Sequence, residues 1–309
     1  MMNFEQELEI KMSDIALDDV ELITFPDGQT HISLKNENLK TVHPVDIRCS
    51  IRSPDELFKL LMVGNVLDSL DVESRLHIKY LMGARMDRAI DQRQPFTLKL
   101  VCDMINNSFP NSPVNVLCPH SEAVSLLLKN FKGSVDQEQN FYYRVFEQVI
   151  NRRKEEITGG YSQPFMDRHG IREDELNEYP LFDLIIPDAG AGKRWYNTFA
   201  SYFSNMTKSG SIEVVECSKK RDMATGKLSG FKVPQKVKKH CLILDDLCDG
   251  GRTFVGLAEK LREQGAKTVE LAVCHGIFSY GYDLKGIDKI YTTNSYAEHK
   301  SDNLWSYRV

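Results

Sequence analysis

The chain is 309 residues long, enough for two domains of ordinary size with separate cores. Apolar residues make up 41% and charged residues 27%, with a net charge of −5, a soluble globular composition that argues against nucleic acid, whose binding needs a basic face. No apolar run approaches the ~20 residues that span a bilayer, and the acidic, amphipathic start is neither a secretory signal nor a basic transit peptide, so a cytoplasmic protein without a membrane partner is expected. Seven scattered cysteines with no C-x-x-C pair exclude a disulfide framework or a zinc site as the organising principle.

In chain order, residues 98–105 read as a helix, 114–117 as a short β-branched strand and 123–128 as another helix. The stretch 132–179 is polar, weakly periodic and interrupted by Gly159-Gly160. It reads as a partly helical connection between domains, with a division at 150. Near-continuous apolar runs at 184–186, 212–215, 241–244 and 269–273 suit strands covered on both faces, as in parallel sheets. After Thr253, residues Phe254, Leu257, Ala258 and Leu261 fall at i, i+3, i+4 and i+7, and Gly265 marks a helix stop. Alternating strands and helices predict an α/β fold with mostly parallel sheets.

The residues at the end of each run are more informative than the run itself. Strand 114–117 ends in Cys118-Pro119-His120, and 184–186 ends in Pro187-Asp188. Strand 212–215 leads to Lys219-Lys220-Arg221, read as part of a loop that also holds Gly226, Ser229 and Gly230. Strand 241–244 ends in Asp245-Asp246, followed by Asp249-Gly250-Gly251-Arg252-Thr253. In an open parallel sheet ligands bind outside the carboxyl ends of the strands, so metal-binding, cationic and phosphate-cradling groups converge on one edge. Paired carboxylates at a strand tip suit ribose hydroxyls or hydrated Mg²⁺. Two glycines before a helix start make an anion-binding turn. The fragment GAGKR at 190–194 is not a P-loop, because Pro187 stands where the first Gly belongs and Arg194 replaces Ser or Thr.

The segment CLILDDLCDGGRT resembles the phosphoribosyl-diphosphate loop of type I phosphoribosyltransferases and ribose-phosphate diphosphokinases. Five further segments are similar to the diphosphokinases in particular. IIPDAGAGKR resembles their second-domain metal and ribose motif, and CHGIFS with TTNS their last two strands. ARMDRAIDQRQPFTLKLVCDMI resembles their ATP-contacting segment and following helix, and FPDGQTHISL their adenine-contacting hairpin. The resemblance implies two phosphoribosyltransferase-like domains, 1–150 and 151–309, each a mostly parallel sheet flanked by helices.

It also implies Mg²⁺-dependent transfer of the β,γ-diphosphate of ATP to the 1-hydroxyl of ribose 5-phosphate. By resemblance His120 and Asp188 bind the metal, while Lys219 and Arg221 are the catalytic cations. Phe25, Asp27, Gln29, Arg85, Met86 and Asp87 contact ATP. Asp245, Asp246, Asp249, Gly250, Gly251, Arg252 and Thr253 hold the ribose hydroxyls and the 5-phosphate. The hairpin's reach into a neighbouring subunit's ATP site implies a homo-oligomer, with a hexamer as the default.

Departures from the family pattern are Gln29 for Glu, Met86 for Gln, and Asp-Gly-Gly-Arg-Thr for Asp-Thr-Gly-Gly-Thr. The last makes the cradle roomier and more cationic, so ADP-ribose is an alternative acceptor. A non-catalytic regulatory homologue is the alternative of another class.

Overall fold

The apolar runs form parallel sheets, as their continuity along the chain requires. A computed structural model describes residues 14–34, 44–89, 91–133, 135–158, 181–188, 190–192, 199, 211–221, 228–234, 236–237 and 240–309. The chain divides into two units, Met1–Ser134 and Val135–Val309.

In the first unit the strands are β1 (Asp14–Ala16), β2 (Leu22–Thr24), β3 (Thr30–Ile32), β4 (Val45–Ile51), β5 (Ser74–Leu81) and β6 (Val114–Val116). Strands β1, β4, β5 and β6 pair in that order, all parallel, while β2 and β3 form a separate antiparallel hairpin. Helix α1 (Pro54–Ser69) connects β4 to β5, and α2 (Thr97–Ser108) connects β5 to β6. The Ser53 side chain caps α1 by accepting from the Glu56 amide at 3.3 Å, with Pro54 fixing φ at the first helical position. Leu57, Leu60, Val63 and Leu67 recur on its buried face. Gly64 lets α1 close on Phe109, whose ring would lie 2.8 Å from a β-carbon there. After β6 the short helix α3 (Ala123–Leu127) follows, as its spacing predicts.

The second unit opens with α4 (Val135–Thr158), a helix of 24 residues. Its other elements are β7 (Phe182–Ile186), β8 (Ile212–Glu216), β9 (Ser218–Arg221), β10 (Leu228–Lys232), β11 (His240–Cys248), α5 (Arg252–Glu263), β12 (Thr268–Gly276), β13 (Lys289–Thr293) and β14 (Leu304–Tyr307). Six of these strands make one wholly parallel sheet in the order β14-β13-β12-β11-β7-β8, and β9 and β10 form an antiparallel ribbon. Both faces are covered. Val269, Leu271 and Val273 of β12 join the core with Phe254, Leu257 and Leu261 of α5. The intervening Glu270 turns to α4, where it bonds Arg152 and Arg153.

Three readings of the sequence need correction. The division falls at Ser134/Val135 rather than 150, and the stretch read as a connection begins with a helix that belongs to the second unit. Phe141, Tyr142, Val145, Phe146 and Val149 are buried, with Phe141 stacked at 6.5 Å on Trp305 of β14. The polar residues that masked this periodicity include two working arginines. Arg152 donates to both Glu270 oxygens at 2.5 and 2.7 Å, and Arg153 donates to Oε1 at 2.9 Å. Second, the segment carrying Lys219 and Arg221 enters as strand β9, not as an open loop. Third, the two segments matched to the family's last strands belong to β12 and β13, beyond which β14 adds an edge. Residues 159–180 and 222–227, Gly226 among them, lie outside the described residues.

All seven cysteines are buried and unbonded to one another. Burial, the leading cause, pushes the thiols of Cys49, Cys102, Cys241 and Cys248 up to about 12, so they pack as small apolar groups rather than react.

Arg153 is 4% exposed and is neutralised by Glu270 of the sheet at 2.9 Å and by the half-exposed Glu156 of its own helix at 2.7 Å. Glu270→Leu removes the partner shared by Arg152 and Arg153 but leaves Glu156, so in urea unfolding it should cost less than the about 3–5 kcal/mol of a wholly unpaired buried charge. A double substitution of Glu270 and Arg153 by Leu should recover much of that loss.

Candidate active site

Each unit brings its polar strand tips to the carboxyl edge of its own sheet. In the first unit β5 and β6 are neighbours, with Leu76 opposite Val114 and Ile78 opposite Val116. The turn after β5 carries Arg85, Met86 and Asp87, and the turn after β6 carries His120, so these groups leave one edge side by side. Gly83, at φ +80°, makes the first turn, in which the Met86 amide donates to the Gly83 carbonyl at 2.8 Å. The Leu98 amide then ties α2 to the Met86 carbonyl at 3.2 Å. Arg85 and Met86 are exposed, Asp87 is half-buried and His120 is exposed.

The β2–β3 hairpin matches its expected form. The Phe25 amide donates to the Gln29 carbonyl at 2.8 Å, closing a turn with Gly28 at φ +84°. Phe25 is 50% exposed at the tip. The Gln29 side-chain amide donates to Asp27 Oδ2 at 2.9 Å, and the Gln29 backbone N–H donates to Oδ1 at 3.1 Å. A glutamate at 29 would put a second negative charge against Asp27, so the glutamine is what makes this clasp.

In the second unit the sheet order defines a switch point. From β7 the chain moves outward to β8, then returns to β7's other side with β11 and continues outward through β12, β13 and β14. The crevice between the carboxyl ends of β7 and β11 is where an open α/β sheet receives its ligand. Ile185 pairs with Ile243, which sets the tips of these two strands next to each other.

Asp188, just past β7, accepts from the Gly190 and Ala191 amides at 3.0 and 3.2 Å through Oδ1. That cap orients its carboxylate. Asp245 is half-buried and Asp246 is buried, and Asp245 Oδ1 accepts from the Asp246 amide at 2.9 Å. Tyr142 of α4 donates to the Asp245 carbonyl at 2.7 Å, holding the strand end from the other face. Desolvation, then the charges of Asp246 and Asp188, push the Asp245 carboxyl well above its usual range, with the Asp246 N–H partly opposing them. Three carboxylates thus crowd one point, and their hard oxygen donors suit Mg²⁺ and ribose hydroxyls.

The turn from Asp249 to Thr253 leads directly into α5. Gly251, at φ +71°, is the N-cap residue, and it carries no side chain with which to cap the first turn. A β-carbon on Gly251 would lie 2.4 Å from Leu284, and one on Gly250 would lie 2.9 Å from the Tyr280 ring. Both glycines are therefore required by close approach, and Gly251 also by its left-handed backbone. Arg252 is exposed and Thr253 half-buried at the helix start, where N–H groups and the helix dipole attract an anion.

The β9–β10 ribbon springs from the same edge: the Cys217 amide, between β8 and β9, donates to the Ile186 carbonyl at 2.8 Å. Lys219 pairs with Phe231, and Arg221 with Leu228. The side chains of Lys219 and Arg221 lie outside the described residues.

Within the second unit, then, the fold brings Asp188, Asp245, Asp246 and the 249–253 turn to one edge. His120 and the ATP-segment residues share an edge of the first unit. Sequence reasoning missed the segment 280–284, just past CHGIFS, whose Tyr280 and Leu284 shape the glycine turn. Its hydrophobic and turn residues gave no sign of their partner, which lies some thirty positions earlier.

No family model matches the chain. Its relatives include the ribose-phosphate pyrophosphokinase of Mycoplasmopsis pulmonis, 27% identical over 93% of this chain and 78% of that protein. That of Thermosipho africanus is 24% identical over 98% of this chain and 87% of the relative. The crystal structure of phosphoribosylpyrophosphate synthetase from Mycobacterium smegmatis superposes with a TM-score of 0.64 at 17% identity, covering 94% of this chain and 85% of that one. Fold and strand-edge geometry define an enzyme built from two phosphoribosyltransferase-like α/β units. Over most of its length the chain is similar to the ribose-phosphate pyrophosphokinases, as a divergent relative of them.

Two outcomes check this geometry. The folded protein keeps a proton on Asp245 that the unfolded chain releases near pH 4. Stability should therefore fall as pH rises above that range toward the raised folded value. Asp245→Asn should remove this slope, raising Tm at pH 8 but not at pH 4. Gly251→Ala should destabilise by roughly 1–3 kcal/mol from overpacking against Leu284, plus about 1–2 kcal/mol from the left-handed backbone, read by denaturant unfolding.

Proposed function

We propose that this chain transfers the β,γ-diphosphate of ATP to the 1-hydroxyl of ribose 5-phosphate, giving phosphoribosyl diphosphate and AMP. The observation that carries the reading is the switch point of the second unit. There Asp188 of one strand tip meets Asp245 and Asp246 of the next, immediately before a glycine-turned helix start. A sugar bearing hydroxyls at one end and a phosphate at the other matches that order of groups.

In this reading Asp245 and Asp246 accept from the ribose hydroxyls, fixing the anomeric oxygen. The turn from Asp249 through Gly250, Gly251, Arg252 and Thr253 holds the 5-phosphate on the α5 N-terminus. Phe25 stacks on adenine, Asp27 with Gln29 reads the base edge, and Arg85, Met86 and Asp87 line the ATP phosphates. The ribose O1 attacks the β-phosphorus, the bond from that phosphorus to the α–β bridging oxygen breaks, and O1 gives up its proton. Lys219 and Arg221 neutralise the charge that develops on the transferring group. His120 and Asp188 would hold Mg²⁺, which supplies charge neutralisation for the polyphosphate when bound. The family resemblance further supports a cytoplasmic homo-oligomer, a hexamer by default, in which the β2–β3 hairpin serves a neighbouring ATP site. No helix among the described residues is long and apolar enough to cross a membrane.

ADP-ribose is a second acceptor reading, which one observation favours. Tyr280 is 76% exposed with its ring against Gly250, and Arg252 is exposed next to it in the turn, so a cation and an aromatic face border the cradle.

Purified protein with ATP and Mg²⁺ should release AMP when given ribose 5-phosphate, and product mass should show the added diphosphate. Lys219→Ala or Arg221→Ala should slow turnover on the order of 10²-fold. AMP release with ADP-ribose alone would select the larger acceptor. Release with neither would refute the reaction.

A further inference from the structure

The two carboxylates at the tip of β11 are joined by one peptide group. The Asp245 carbonyl and the Asp246 N–H belong to the same plane, and in a trans peptide two such groups point in opposite directions. On one side the Asp245 carbonyl accepts from the Tyr142 hydroxyl at 2.7 Å. On the other the Asp246 N–H donates to Asp245 Oδ1 at 2.9 Å. The plane is thus held at its carbonyl by α4, and its N–H in turn orients the Asp245 carboxylate.

This hold falls where the sheet grips the strand from one side less. Pairing of β11 with β7 ends at Ile243, while pairing with β12 continues to Cys248. Tyr142 therefore meets β11 two residues past its last pair with β7, at the crevice between the two strand tips.

The hydroxyl is itself fixed in place. Tyr142 is 2% exposed, and the rings of Phe141, Phe199 and Phe146 lie 4.7, 5.2 and 6.4 Å from its own, centre to centre. A ring so enclosed has no room to change rotamer. Further along α4, Arg152 and Arg153 donate to Glu270 of β12, the neighbour of β11. The donor is presented from a helix that is tied to the same sheet.

We propose that Tyr142 is a positioning residue for the acceptor: through the 245–246 peptide plane it sets the aim of the Asp245 carboxylate at the ribose hydroxyls. The inference rests on the reading of Asp245 as a partner of those hydroxyls. Tyr142 acts through Asp245 and meets no reacting atom. A carboxylate aimed in advance needs less ordering when the sugar binds. That gain is the same in the ground state and the transition state, so it falls on acceptor KM and not on kcat.

Tyr142→Phe keeps the ring and removes the hydroxyl. It should raise KM for ribose 5-phosphate (or ADP-ribose, whichever is turned over) about three- to tenfold, the equivalent of one neutral hydrogen bond. KM for ATP and kcat should stay at the parent values. Loss of the bond also lowers Tm, so Phe141→Leu serves as the comparison, because it loosens the same helix at Trp305 and Tyr307. That variant should lower Tm and leave the acceptor KM unchanged. A matching rise in acceptor KM in Phe141→Leu overturns the proposal, as does a Tyr142→Phe protein in which both KM values rise together. A parent protein that turns over neither acceptor overturns the reaction assignment and this inference together. A working parent with an unchanged acceptor KM in Tyr142→Phe overturns this inference alone.

Discussion

Repulsion among the carboxylates of Asp188, Asp245 and Asp246 is the constraint around which the second unit is arranged. Parallel strands deliver their tips to one edge, and the reversal of direction between β7 and β11 opens a crevice there. Burial first, and then the negative charges of Asp246 and Asp188, push the Asp245 carboxyl well up. The surrounding contacts hold this unfavourable arrangement in place. Two backbone amides cap Asp188, the Asp246 amide serves Asp245, and Tyr142 grips the strand from the α4 side. A cation or hydroxyl donors placed at that point would offset the repulsion.

The same logic governs the glycine turn. Gly250 and Gly251 lack side chains because Tyr280 and Leu284 occupy that space, so the turn is shaped from outside as well as by its own backbone. A loop specified only by its glycines would sample many conformations, at an entropic cost on binding a phosphate. Packing against an anchored neighbour removes that freedom in advance. Arg252, exposed at the start of α5, adds a cation to a turn already shaped by its neighbours.

Helix α4 shows how a polar sequence can be a core element. Its aromatic residues meet Trp305 and Tyr307 of the edge strand, while Arg152 and Arg153 converge on the single carboxylate of Glu270. That cluster is buried because each charge is paired, and it joins the helix to the centre of the sheet rather than to its rim. The tie matters for the site, since Tyr142 on the same helix reaches the Asp245 carbonyl.

Much of this was legible from local pattern. Continuous β-branched runs told of doubly covered parallel strands at 184–186, 212–215, 241–244 and 269–273, and the i, i+3, i+4, i+7 spacing after Thr253 told of α5. The tips were legible too, because Asp188, Asp245, Asp246 and the Gly250-Gly251 turn are each adjacent in sequence to the strand that carries them. Less legible was α4, where Arg152 and Arg153 look like solvated charge until Glu270 of a distant strand is brought to them. The pairing of the Lys219 segment with residues 228–232 was likewise hidden, since an antiparallel partner is a non-local fact. The amino-acid order thus specified the element types and the chemistry at each strand tip, because periodicity and adjacency act over a few residues. It took the folded chain to make β7 and β11 neighbours, to bury the Asp245 carboxyl beside Asp246 and Asp188, and to brace the glycine turn with residues 277–284. Those facts depend on strand order and on packing between segments far apart in the chain, where no local pattern carries the information.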